Sequence, residues 1–144
     1  MQESQIRRLA EAAKLASEKA YSPYSRFRVG AAVLTKDGQI YTGCNIENAS
    51  YSLTICAERV ALFSAIADGR NEITALALYA NSAKPTPPCG ACRQVIHELA
   101  RGALIVIASP GNELVTMPEE GLLPQAFDAA NLENEAPALG TGHE

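Results

Sequence analysis

Apolar residues Ile6, Leu9, Ala10, Ala13, Ala16 and Ala20 recur at helical spacing among charged and polar neighbours. This pattern predicts an amphipathic helix over residues 4–20. Pro23 closes it, because proline disfavours helix in the residue before it. Val29–Leu34 and Gln39–Cys44 read as strands, joined at Asp37-Gly38 by a hairpin signal. Asn45–Thr54 is polar and loop-like. Cys56–Ala67 reads as a helix with Val60, Phe63 and Ala67 on one face. Ile73–Ala80 and Ala103–Ala108 are near-continuous apolar runs, which suits strands covered on both faces. Between them, Gly90–Ala100 predicts a helix with Val95, Ile96 and Leu99 inward. Pro110-Gly111-Asn112 is a turn, and Leu114–Met117 is a last short strand.

The predicted order is helix, two strands, helix, strand, helix, strand, strand. Strand-helix-strand units imply parallel pairing, while the opening hairpin adds an antiparallel pair. The expected fold is therefore three-layer α/β/α, with a mixed, roughly five-stranded central sheet. No internal repeat or linker divides the chain, so residues 1–127 are expected to form one domain. After Phe127 the Ala, Asn, Glu, Pro and Gly composition predicts an acidic, loose tail over 128–144.

Composition narrows the class. The 144 residues, 47% hydrophobic and 19% charged, are those of an ordinary globular chain. No apolar run reaches the roughly 20 residues of a membrane span. Met1-Gln2-Glu3-Ser4 lacks the basic-then-apolar pattern of a secretion signal, so the expected compartment is the cytoplasm. The net charge of -4 comes from Asp128, Glu133, Glu135 and Glu144; residues 1–127 carry equal numbers of acids and bases. That balance argues against a polyanion such as nucleic acid as partner.

In the cytoplasm, cysteines serve more often as metal ligands or redox groups than as structural disulfides. Cys89-Gly90-Ala91-Cys92, taken alone, fits a redox dithiol and half of a zinc site equally well. Cys56-Ala57-Glu58 separates the two. Both cysteine segments fall at a predicted helix start, where the dipole favours negative charge by roughly 0.3–1 kcal/mol. Three thiolates, Cys56, Cys89 and Cys92, would fill three corners of a tetrahedron and leave the fourth for water. That is the count of a catalytic zinc rather than a closed structural one. Glu58 stands near enough to exchange protons at the open position without ligating the metal. Arg59 could hydrogen-bond the sulfurs and draw charge off an anionic cluster.

Cys-x-Glu followed by Pro-Cys-x-x-Cys is the zinc-deaminase signature, with Cys56 where many members carry histidine. Further segments agree: Ser22-Pro23-Tyr24-Ser25-x-Phe27-x-Val29-Gly30-Ala31, Thr42-Gly43-Cys44-Asn45-Ile46-Glu47-Asn48-Ala49-Ser50-Tyr51, Cys56-Ala57-Glu58-Arg59, Pro88-Cys89-Gly90-Ala91-Cys92-Arg93-Gln94-Val95 and Leu122-Leu123-Pro124-x-x-Phe127. Over residues 5–127 the chain resembles the short, homotetrameric cytidine deaminases. The resemblance implies one Zn²⁺ per chain on Cys56, Cys89 and Cys92, with Glu58 as proton shuttle. It implies that Asn45 and Glu47 bind the ribose hydroxyls, that Phe27 stacks on the pyrimidine, and that the backbone around Ala57 reads the base. Ile46 belongs to the same sugar-binding loop, and Ala49, Tyr51 and Phe127 would complete pockets across subunit boundaries. The implied reaction converts cytidine and 2′-deoxycytidine to uridine and 2′-deoxyuridine, with ammonia released, in pyrimidine salvage. The implied assembly is a homotetramer.

Other residues have plainer readings. Cys44 follows a strand and reads as a core thiol, since a fourth sulfur would close the water position. His97-Glu98 is no zincin motif, because Arg101 stands where the second histidine belongs. His143 reads as a solvated tail residue. Phe63 and Tyr79 read as core, and Phe127 without the resemblance would be an anchor for the chain end. Rival functions are a deaminase of another cytosine nucleoside such as blasticidin S, a polynucleotide cytosine deaminase, a redox dithiol protein and a non-catalytic zinc module.

Overall fold

The computed structural model describes residues 1–111 and 113–133. Helix α1 (Glu3–Ser17) leads into strands β1 (Val29–Thr35) and β2 (Ile40–Cys44). Helix α2 (Ala57–Ala67), strand β3 (Ile73–Ala80), helix α3 (Gly90–Leu99), and strands β4 (Leu104–Ala108) and β5 (Leu114–Pro118) follow. A four-residue helix, α4 (Ala129–Leu132), comes last. The sheet order is β2-β1-β3-β4-β5. Only β3 and β4 pair in parallel; the other neighbours are antiparallel. This is the expected mixed five-stranded sheet between helical layers.

Parity along the apolar strands divides the core. Ala31 and Val33, Leu76 and Leu78, and Ile105 and Ile107 face α2 and α3. Ala32, Ala75, Ala77 and Val106 face α1, where Leu9, Ala10 and Ala13 cover them. Side chains such as Leu76 and Ile105 are fully enclosed, and trimming one to alanine costs about 2–5 kcal/mol.

Two glycines set the spacing of the layers. A Cβ at Gly30 would stand 1.9 Å from the Ala13 carbonyl oxygen of α1. A Cβ at Gly43 would stand 2.5 Å from the Ala61 nitrogen and 2.7 Å from the Ala57 oxygen of α2. Helix α1 thus lies directly on β1, and α2 directly on β2. The hairpin turn is made at Gly38, whose φ of 87° suits glycine.

Some expectations are corrected. Helix α1 stops at Ser17 rather than residue 20. The Ser17 hydroxyl bonds back to the Lys14 carbonyl, and by Tyr21 the chain is already extended and bridged to Ile46. Helix α2 does not bury Val60, Phe63 and Ala67. Its inner face is Ala57, Glu58, Ala61, Leu62 and Ala65. Only a stripe of small residues fits against Gly43, so Phe63 turns outward and is 47% exposed. Phe63 is therefore not a core residue, whereas Tyr79 is buried as expected. The loop after β2 contains a 3₁₀ turn at Tyr51–Leu53 and a bridge between Ile46 and Ile55. Beyond Phe127, the expected loose tail begins with α4; its remainder, with His143, lies outside the described residues, as does Asn112 of the predicted turn.

Candidate active site

Cys56 and Cys89 are the N-cap residues of α2 and α3, and Cys92 lies in the first turn of α3. The two helices start side by side, so residues 33 apart in sequence meet. The three sulfurs lie within 4.8 Å of one another, and the Cys56 and Cys89 sulfurs are 3.9 Å apart. A tetrahedral zinc with Zn–S bonds of about 2.3 Å requires sulfur–sulfur edges of about 3.8 Å. The spacing therefore fits zinc without rearrangement of the backbone. Cys44 is not part of this cluster, as expected.

The charge around the sulfurs fits a cation as well. Arg59 donates from Nη2 to the Cys56 sulfur at 3.3 Å. The Cys56 thiol is pulled down to about 5, chiefly by a hydrogen bond from Cys92 and then by Arg59 and Cys89, against the opposing effect of burial. Cys92 is pushed up, mainly by that same bond to Cys56 and by burial. These neighbours favour the thiolate form of Cys56, the form that ligates a metal. The Cys92 amide lies 3.5 Å from the Cys89 sulfur and donates to it.

Glu58 is 5% exposed. Burial raises its carboxyl above the usual range; the charge on Cys56 adds to the rise, and a Cys92 hydrogen bond opposes it. A buried carboxyl with a raised pKa beside a sulfur cluster is equipped to hold and release a proton. Ala57, wholly buried, brings backbone to the same corner.

The second half of the site is a loop cluster. Asn45 is buried and uses both ends of its amide: Nδ2 donates to the Phe27 carbonyl at 2.7 Å, and Oδ1 accepts from the Val29 amide at 2.9 Å. Glu47 accepts through Oε1 from the amides of Tyr24 and Ser25, at 2.9 and 3.1 Å. These two side chains hold the 22–29 segment in shape, in which Phe27 is 42% exposed. Tyr51 packs edge-on against Tyr24, with ring centroids 6.1 Å apart. Ile46, Ala49 and Tyr51 are exposed, and so is Phe127 at 59%. Arg93 had no expected role beyond its motif. It donates from Nε to the Pro88 carbonyl at 2.9 Å and so steadies the residue before Cys89. The only sequence signal for it was its position right after the Cys-x-x-Cys pair.

Comparison with known proteins agrees with this geometry. Residues 3–108 match the model of the cytidine and deoxycytidylate deaminase zinc-binding region. The chain is 49% identical to the cytidine deaminase of Halalkalibacterium halodurans over 118 residues, covering 81% of this chain and 89% of that one. It is 46% identical to the cytidine deaminase of Sporosarcina psychrophila over 128 residues, or 88% of this chain and 94% of that one. The crystal structure of cytidine deaminase from Burkholderia pseudomallei superposes with a TM-score of 0.82 at 48% identity, covering 88% of this chain and all of the other.

Proposed function

The chain belongs to the cytidine and deoxycytidylate deaminase family, and from that premise we propose that it hydrolyses cytidine and 2′-deoxycytidine to uridine and 2′-deoxyuridine, releasing ammonia. It is an enzyme with one zinc ion per chain as cofactor. The observation that carries the reading is the meeting of three sulfurs at two helix starts, with the buried Glu58 on the same turn as Cys56.

Cys56, Cys89 and Cys92 hold the metal in this reading. A zinc ion held by them would supply Lewis-acid chemistry, making a water acidic enough to serve as nucleophile at neutral pH. Glu58 accepts a proton from that water and delivers it to N3 of the ring. It then takes the remaining proton from that oxygen, now on C4, and passes it to the amine nitrogen as the C4–N4 bond breaks. The water oxygen stays on C4, and the nitrogen leaves as ammonia. Arg59 offsets the negative charge of the sulfurs. Phe27 offers an aromatic face to the base, and the backbone near Ala57 meets its polar edge. Asn45 and Glu47 bind the sugar, with Ile46 between them. Asn45 has the heavier structural duty, since its amide already joins Phe27 to Val29.

Ala49, Tyr51 and Phe127 complete the pocket between subunits of a homotetramer. Their exposure in one protomer supports this, together with the outward Phe63 and Leu53. Among the described residues no helix is long and apolar enough to cross a membrane, and the cytoplasm is the proposed location. The deciding test measures zinc content and the absorbance change from cytidine to uridine on the same sample. One zinc per chain with turnover supports the reading; metal without ammonia release from any cytosine nucleoside overturns it. Turnover of blasticidin S in preference to cytidine overturns the substrate.

A further inference from the structure

One face of α3 grips the returning end of the chain. Arg93, Gln94 and His97 lie at spacings that bring them onto adjacent parts of the α3 surface, and Arg101 follows two residues past its end. Arg93 donates from Nη1 to the Leu122 carbonyl at 2.9 Å. Gln94 donates from Nε2 to the Phe127 carbonyl at 2.8 Å. His97 Nδ1 meets Oε1 of Glu119 at 2.8 Å, and the Gly102 amide fills Oε2 at 3.1 Å. Arg101 Nη2 lies 3.1 Å from His97 Nε2 and 3.2 Å from an oxygen of Asp128. His97 Nε2 also lies 3.5 Å from the same Asp128 oxygen, so the imidazole links Glu119 on one side to Asp128 on the other. Glu119 is almost wholly buried, so this chain of contacts is fixed at its inner end. At its outer end, Asp128 caps α4 by accepting from the Ala130 amide.

Phe127 sits between the two gripped points. Its carbonyl is held, the next residue is held, and Gln125 two residues earlier has a left-handed φ of 54°. A non-glycine residue keeps such a backbone only where its surroundings determine it. Yet Phe127 as a whole is 59% exposed. A residue that merely anchors a chain end would be buried; here the backbone is pinned and most of the residue stays accessible.

We propose that Gln94, His97 and Arg101 are positioning residues for Phe127, a clamp that sets where its ring leaves the protomer and hence how a neighbouring subunit's nucleoside pocket is closed. The inference rests on the reading of Phe127 as a wall of that pocket. The clamp acts through Phe127, so its loss weakens substrate binding and spares the chemical step.

The test uses the zinc-loaded full chain with Phe127→Ala, Gln94→Met and His97→Ala, singly, and with Gln94→Met combined with Phe127→Ala. His97→Ala also leaves buried Glu119 with one donor fewer, so Gln94→Met, which removes only the bond to the Phe127 carbonyl, keeps the test clean of folding defects. Expected for Gln94→Met is a KM for cytidine raised about three- to tenfold, the worth of an aromatic contact. Its kcat stays within about twofold, and its zinc content and assembly state are unchanged. In the Phe127→Ala background the Gln94 change adds nothing, as expected of residues acting through one another. A wild-type KM for Gln94→Met and His97→Ala, where Phe127→Ala raises it, overturns the clamp and leaves the pocket reading standing. So do effects that add independently. An unchanged KM in Phe127→Ala overturns the pocket reading of Phe127 and the clamp with it.

Discussion

Arg59 stands one turn along α2 from Cys56 and points Nη2 at its sulfur across 3.3 Å, while Nε is buried with no hydrogen-bond partner among the described residues. The guanidinium is thus committed to the sulfur through Nη2. Lysine lacks the planar fork that reaches the same atom from this turn. Arg59→Lys and Arg59→Met are expected to weaken zinc binding by about 10- to 100-fold, the usual scale for a group that hydrogen-bonds a metal ligand. Competition against a chelator of known affinity measures it. Unchanged zinc retention would show that the sulfurs need no charge support.

Glu58→Gln keeps the size and burial of the side chain but removes its proton exchange. The variant is expected to bind one zinc per chain and to lose about 10²–10⁴ in kcat. Metal analysis and the absorbance assay on one preparation check both halves.

Glu47 is held below its usual carboxyl value, first by the Ser25 hydroxyl and then by the Ser25 and Tyr24 amides, with burial opposing. A depressed folded value means its contribution is present above the unfolded value of 4.5 and is lost as pH falls through the lower folded one. KM for cytidine is therefore expected to show no titration from this group at any pH above 4.5. Glu47→Gln should raise KM about tenfold or more at every such pH, because a charged acceptor becomes a neutral one. A pH series of initial rates on both proteins decides it.

The two close-approach glycines give a matched pair. Gly30→Ala forces α1 off β1, and Gly43→Ala forces α2 off β2. Each is expected to cost about 1–3 kcal/mol of stability. Only the second moves the start of the helix that carries Cys56 and Glu58. Thermal unfolding should drop in both, while zinc retention and kcat fall in Gly43→Ala alone.

Phe63→Glu places a charge on the outward face of α2 beside Val60 and Leu53. Sedimentation should show smaller species than the wild type, with the protomer still folded by circular dichroism. An unchanged assembly would remove this face from the proposed interface.

The sheet and its helices were legible because their signals are local. Apolar runs in β3 and β4 and the Asp37-Gly38 turn define strands without knowledge of neighbours. The face of α2 was not legible, because Gly43 lies on another element and its approach to Ala57 and Ala61 forbids a large side chain there. The cysteine cluster could be read from spacing and resemblance, since both segments announce a helix start. The bonds of Asn45 to the backbone at Phe27 and Val29 could not. They depend on a fold that brings residues 16 to 18 apart into contact. The contacts that tie Glu119 and the 127–128 segment to α3 and to Arg101 beyond it were hidden in the same way, as His97 and Arg101 carry no motif.

The amide of Asn45 grips the chain on both sides of one residue, and Glu47 grips it a few residues earlier. The arm that presents an aromatic plate is thus shaped by the side chains proposed to hold the sugar. In the proposed site, selectivity for the two halves of a ligand is therefore coupled: a change that admits a new sugar would also displace the plate proposed to lie beneath the ring. Evolution toward bulkier or sugarless relatives of the ligand would have to rewrite both strips of sequence together, while the sulfur-bearing helices could stay as they are.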